Sequence, residues 1–183
     1  MKNCYTYFLL ILLTVFLSSC FWWESVDETG LAQVETESFS IKLPNTWDAI
    51  AANELPLPKS GDIVLAYASP EERQWYINNI VVLADENHQN ESSVWLMNNS
   101  ANFLKWGLKG FTLIEQKNIN FHDEEIWTVL SFRGRYNPNT PELTYIQTAR
   151  SCWDMSYFLT VSLAEQLETY DKYEYLLQSF RCK

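Results

Sequence analysis

The chain has 183 residues, a net charge of −10, and 47% hydrophobic and 15% aromatic side chains. That apolar content excludes a disordered protein, and five Gly with six Pro exclude collagen-like and low-complexity architectures. The acidic balance repels nucleic acid and anionic lipid head groups, so it argues against a nucleic-acid partner and predicts a domain held off any membrane surface.

Lys2 is followed by an uncharged apolar run, Tyr7 to Leu17, with the composition and length of a secretory signal. The run ends in Leu17-Ser18-Ser19-Cys20. This element resembles the lipobox of bacterial lipoproteins, in which Leu and two small residues precede the cysteine that is lipidated. The resemblance implies a signal peptide over residues 1–19, cleavage before Cys20, and acyl chains on the Cys20 thiol and on the new N-terminus. One chain attaches only marginally, at about 0.8 kcal/mol per buried methylene, whereas several on one residue hold firmly. The alternatives are ordinary secretion and an uncleaved spanning anchor, since Tyr5 to Trp23 approaches the roughly 20 residues a bilayer requires. The break at Ser18-Ser19-Cys20, with no basic cluster after it, favours the lipoprotein. Such a domain faces the periplasm or the cell exterior, on the cell membrane or the outer membrane. Phe21 is not the aspartate associated with inner-membrane retention.

Of the four cysteines, Cys4 leaves with the signal and Cys20 is taken by lipid. Cys152 and Cys182 remain, an even number in an oxidising compartment. Paired, they would close a loop of about 30 residues, worth roughly 3.5 kcal/mol; two buried thiols are the alternative. No second Cys or His stands at ligand spacing, so no metal site is expected. Losing Lys2 leaves 12 of the 13 basic residues against 23 acidic ones, a charge of −11.

Residues 20–37 read as a lipidated cysteine and an acidic tether, with Glu24, Asp27, Glu28, Glu35 and Glu37 and no periodicity. Trp22 and Trp23 suit a membrane interface. The domain is expected over 38–183. Phe39, Ile41 and Leu43 alternate with polar residues as in a half-buried strand, and Thr46 to Ile50 reads as a helical turn. Leu55-Pro56-Leu57-Pro58 is an extended loop. Ile63 to Ala68 and Trp75 to Ala84 read as strands separated by Ser69-Pro70-Glu71-Glu72, a turn or one helical turn.

Ser92 to Lys109 has helical periodicity in Val94, Met97, Ala101, Leu104 and Leu108, with Ser92 or Ser93 to cap it and Gly110 to end it. Phe111 to Phe121 reads as a strand, His122-Asp123-Glu124 as a polar turn, and Ile126 to Arg133 as a strand buried on both faces. A loop at Asn137 to Pro141 leads to a hairpin of Leu143 to Arg150 and Met155 to Leu163. A helix over Gln166 to Gln178 closes the chain. Runs of antiparallel strands with few helices predict an α+β fold, a mainly antiparallel sheet flanked by helices.

This pattern resembles the PsbP-like α/β/α sandwich family. The carrying residues are Phe39-Ser40-Ile41-Lys42-Leu43-Pro44-Asn45-Thr46-Trp47, the central helix running into Gly110-Phe111, Tyr145-Ile146-Gln147-Thr148, and Phe158-Leu159-Thr160-Val161-Ser162. The resemblance implies that sandwich fold and roles in binding or assembly, with no shared catalytic motif and no site residue carried over.

Catalytic chemistry is poorly served. His88 lies in a polar stretch that reads as loop, and His122-Asp123 lacks a neighbouring nucleophile motif, so a hydrolase built on His122 is the weakest alternative. Asp123-Glu124-Glu125 and Glu71-Glu72 lack the spacing of a calcium loop, and no Gly-rich phosphate loop occurs. No cofactor is expected. Trp95 and Trp106 fall off the apolar stripe of the helix and are candidates for binding a partner or ligand, since exposed aromatics anchor interfaces. The simpler expectation is that both pack beneath neighbouring loops, and that Trp153 covers the disulfide. The reading is a non-enzymatic lipoprotein that binds a protein partner or assists envelope assembly. The alternative is a small-ligand binder with an aromatic-lined cleft.

Overall fold

The structure is a computed structural model that describes residues 30–56, 58–73, 75–87, 91–120, 125–164 and 170–183. Residues 1–29, with Cys20, Trp22 and Trp23, and both histidines lie outside them. The strands are β1 (Leu31–Glu35), β2 (Phe39–Pro44), β3 (Asp48–Ala49), β4 (Asp62–Arg73), β5 (Tyr76–Glu86), β6 (Lys109–Asn120), β7 (Ile126–Arg135), β8 (Leu143–Cys152), β9 (Met155–Leu163) and β10 (Arg181–Cys182). Two helices accompany them, α1 (Ser93–Gly107) and α2 (Asp171–Gln178).

Strands β3-β4-β5-β9-β8-β7-β6, in that order, form an antiparallel seven-stranded sheet, and β1-β2-β10 form a second sheet of three. The fold is α+β. Alternation along the central strands drives the layering, because successive residues point to opposite faces. Trp127 and Val129 of β7 join Ile146, Leu159 and Val161 in a core shared with Phe39, Ile41 and Leu43 of β2 and with Leu176 and Leu177 of α2. Leu130 and Phe132 turn to the other face and meet Leu96 and Met97 of α1. One face is therefore roofed by the small sheet and α2, the other by α1 over β6, β7 and β8.

The C-terminus is sewn to this core. Cys152 and Cys182 are joined by a disulfide with a Cα–Cα distance of 5.7 Å. Arg150 donates to the Phe180 carbonyl at 3.0 Å and lies over the Trp127 ring, 4.6 Å from its centroid. Burial, with Arg181 adding to it, pulls the Arg150 guanidinium down to about 10.

Several expectations need correction. The folded part begins before Ser38, because Leu31-Ala32-Gln33-Val34 within the acidic tether is uncharged and packs Leu31 and Val34 on the core as β1. Thr46 to Ile50 is not helical; Asp48 and Ala49 pair with β4 as β3. The turn expected at Ser69-Glu72 is a register shift between Ala68 and Glu72 inside one long β4. Pro70 is tolerated there because β3 pairs β4 only at Tyr67 and Ala68, leaving an open edge. α1 stops at Gly107, and Gly110, with φ of 66°, lies inside β6. In the closing helix, Asp171 to Gln178 is helical and Tyr170 is not; 166–169 lie outside the described residues.

Candidate functional site

Polar contacts set the rotation of α1 about its own axis. The Trp95 backbone N–H donates to the Ser92 hydroxyl at 3.3 Å, capping the first turn. The Asn87 amide donates to the Ser151 hydroxyl at 2.9 Å and accepts from the Glu91 N–H at 2.8 Å, while the Ser93 hydroxyl donates to the Ala149 carbonyl. Halfway along, the Ser100 hydroxyl donates to Gln147 at 2.7 Å, and the Gln147 amide donates to the Thr160 hydroxyl at 2.8 Å. With Leu96 and Met97 buried against the sheet, the outer face is fixed.

That face carries Trp95, Phe103 and Trp106, which are 48%, 78% and 87% exposed. At 100° per residue the three fall within a sector of about 80°. Trp95 and Trp106 are exposed and do not pack beneath loops, while the sheet lies on the other side of α1. Phe103 escaped the sequence reading, although its spacing of eight residues from Trp95 and three from Trp106 marks the same side. The helix, SVWLMNNSANFLKWG, holds one cation, Lys105, and no acid, in a chain with 23 acidic residues. Aromatic enrichment with charge depletion is the composition of an interface core, and three exposed rings on one helix face form a surface that water solvates poorly.

The remaining candidates lie elsewhere. Cys152 and Cys182 serve the C-terminal seam. Trp153 does not cover them: it is 81% exposed, with its indole N–H donating to the Lys183 carbonyl at 3.2 Å. His122 and Cys20 lie outside the described residues. Burial pushes the phenols of Tyr76 and Tyr145 up, so these hydroxyls stay protonated at neutral pH. Among the described residues no three His, Cys, Asp or Glu side chains gather as metal ligands, and no helix is long and apolar enough to cross a membrane.

No protein-family model matches the chain, and no curated protein matches it. Solved structures do. The solution structure of cyanobacterial PsbP (CyanoP) from Synechocystis is similar over 87% of this chain and 96% of its own, with a TM-score of 0.58 and 16% identity. The crystal structure of the Ran-binding protein Mog1p from Saccharomyces cerevisiae is similar over 82% of this chain and 94% of its own, with a TM-score of 0.53 and 10% identity. The class is thus the PsbP-like α+β fold. At these identities the likeness defines architecture alone.

Proposed function

We propose that the chain is a lipid-anchored, extracytoplasmic binding protein, tethered through Cys20, which holds a protein partner on the outer face of α1. The observation that carries the partner reading is the exposure of Trp95, Phe103 and Trp106 on one side of a helix whose other side is locked to the sheet. Trp is the residue type most enriched among interface hot spots. The site offers no charge beyond Lys105, so the partner surface that fits it is an uncharged, apolar groove or patch. Mog1p, which shares the fold, is itself a Ran-binding protein, a neighbour in which this architecture serves protein recognition. The Leu17-Ser18-Ser19-Cys20 element supports the anchor, and the disulfide between Cys152 and Cys182 suits an oxidising compartment.

Partner capture from native membranes tests the reading. The lipidated chain should retain a defined protein that a Trp95→Ala/Phe103→Ala/Trp106→Ala variant loses, with affinity falling at least about tenfold. Equal retention by both would overturn the assignment of the face. A Cys20→Ala chain, analysed by mass spectrometry beside the wild type, tests the anchor separately: lipid mass should be present only with Cys20.

A further inference from the structure

The end of the main sheet at the β4–β5 turn carries aromatic side chains that the fold does not require. Trp75 sits at the turn between the register partners Arg73 and Tyr76 and is 92% exposed. Its φ of 65° lies in the left-handed region, a conformation that Gly or Asn adopts more readily than Trp. Trp153 holds a similar turn at the opposite end, but its indole is engaged by Lys183. Tyr136, also exposed, follows β7 at the Trp75 end, as the antiparallel registers from β5 through β9 and β8 to β7 require.

The same end gathers cations in an acidic chain. Lys109 pairs in register with Arg135, two like charges directly opposite, an arrangement that destabilises a sheet unless an anion relieves it. Among the described residues no carboxylate forms an ion pair with Lys105, Lys109, Arg133 or Arg135. The Arg133 Nε is buried without a hydrogen-bond partner. The described carboxylates towards this end are Glu71, paired with Arg73 at 3.1 Å, Glu72, Glu142 and, on β3, Asp48. Glu165 and Glu168 follow Ala164 and lie outside the described residues.

The chain also enters the fold here. The Gly30 carbonyl accepts from the Asn45 N–H at 2.9 Å, and Asp48, three residues on, pairs with Ala68 in the half of the sheet nearer Trp75. Residues 21–30, even fully extended, reach at most about 35 Å. Strands of ten or so residues at about 3.3 Å each make the sheet a similar length. A tether starting at this end would use its whole reach to bring the opposite end to the bilayer.

We infer that this end is the surface on which the tethered domain rests against its own bilayer, with Trp75 and Tyr136 in the headgroup zone and Lys105, Lys109 and Arg135 on anionic phospholipid head groups. The inference rests on the Cys20 anchor of the proposed function. It replaces the repulsion expected of an acidic chain by a local contact. It also stands α1 upright on the bilayer with its last turn lowermost: the helix runs along the strands, from Ser93 at Ala149 to Leu108 at Gly134, and so presents its aromatic side sideways to a partner.

The test uses the lipidated chain in phosphatidylcholine vesicles, with and without phosphatidylglycerol, whose acyl chains carry bromine near the glycerol. Bromine quenches indole fluorescence only at contact. In the phosphatidylglycerol vesicles, wild type should lose more fluorescence than Trp75→Phe. That difference should vanish in Lys105→Glu/Lys109→Glu/Arg135→Glu and in vesicles of phosphatidylcholine alone. Equal quenching of wild type and Trp75→Phe overturns the inference, and if the same sample carries lipid mass on Cys20 the anchor stands without it. Absence of that mass overturns both.

Discussion

Lys117 of β6 and Glu174 of α2 close the face of the sheet opposite α1 with an ion pair of 2.9 Å, in which the Glu174 side chain is almost wholly buried. Burial pulls the Lys117 ammonium down, but the hydrogen bond and charge of Glu174, with Glu115 and Asp171 behind them, leave it above the usual lysine range. A raised pKa contributes stability that is complete below the unfolded lysine value and is lost as pH rises through the folded one, so the pair should fail only in strong alkali. Lys117→Met leaves a buried carboxylate without its partner and should cost about 2 kcal/mol in urea denaturation, most of which a Lys117→Met/Glu174→Met double variant should recover. Trp75 makes the opposite case, since its side chain is outside the core and its backbone is left-handed. Trp75→Asn should keep or raise stability by up to about 1 kcal/mol, as read from the thermal midpoint.

The two sides of α1 should respond to mutation in opposite ways. Met97→Ala opens a cavity over Leu130 and Phe132 and should cost about 2–5 kcal/mol in unfolding free energy. Trp106→Ala removes a ring that touches solvent and should change stability by no more than about 0.5 kcal/mol while weakening partner binding. The inner side was legible in the sequence, because Met97, Ala101 and Leu104 repeat at helical steps. The outer side was only half legible: periodicity marks Trp95 and Trp106 as off the stripe, but whether a loop covers them is a tertiary fact. Strand centres such as Ile126 to Arg133 are equally plain, with apolar residues on both alternating faces. What the sequence hides lies at edges. Pro70 reads as a turn unless it is known that β4 has no neighbour there, and β1 hides in an acidic segment because it contributes only Leu31 and Val34 to the core. Gly110 reads as a helix stop, although its positive φ serves the irregular start of β6.

Across the whole molecule, both termini of the domain are held against one another at the seam that the disulfide closes. Lys183 donates to Glu35 at 3.0 Å and to the Thr36 carbonyl at 2.7 Å, tying β1 to the last residue. The hydrogen bond and charge of Lys183, with Gln33, hold the Glu35 carboxyl below its ordinary value. A lowered pKa contributes stability that is present above the unfolded value and lost as pH falls through the folded one, so hydrogen exchange in β1 should quicken on acidification before it does in β8 or β9. Reduction of the bond between Cys152 and Cys182 should lower global stability by roughly 3.5 kcal/mol, read as a shift of the denaturation midpoint with reductant. Under the two proposals, the anchor, the sheet end with Trp75 and the aromatic side of α1 would make one oriented object, a domain standing on a membrane with a binding face turned outward. Site-specific photocrosslinking in native membranes tests that face most directly, with the probe at Asn99, between Trp95 and Phe103, and a control probe at Lys59, near the start of β4. The account predicts a discrete protein adduct from Asn99 that the control does not give and that Trp106→Ala diminishes; no adduct from Asn99, or the same adducts from both positions, would contradict it.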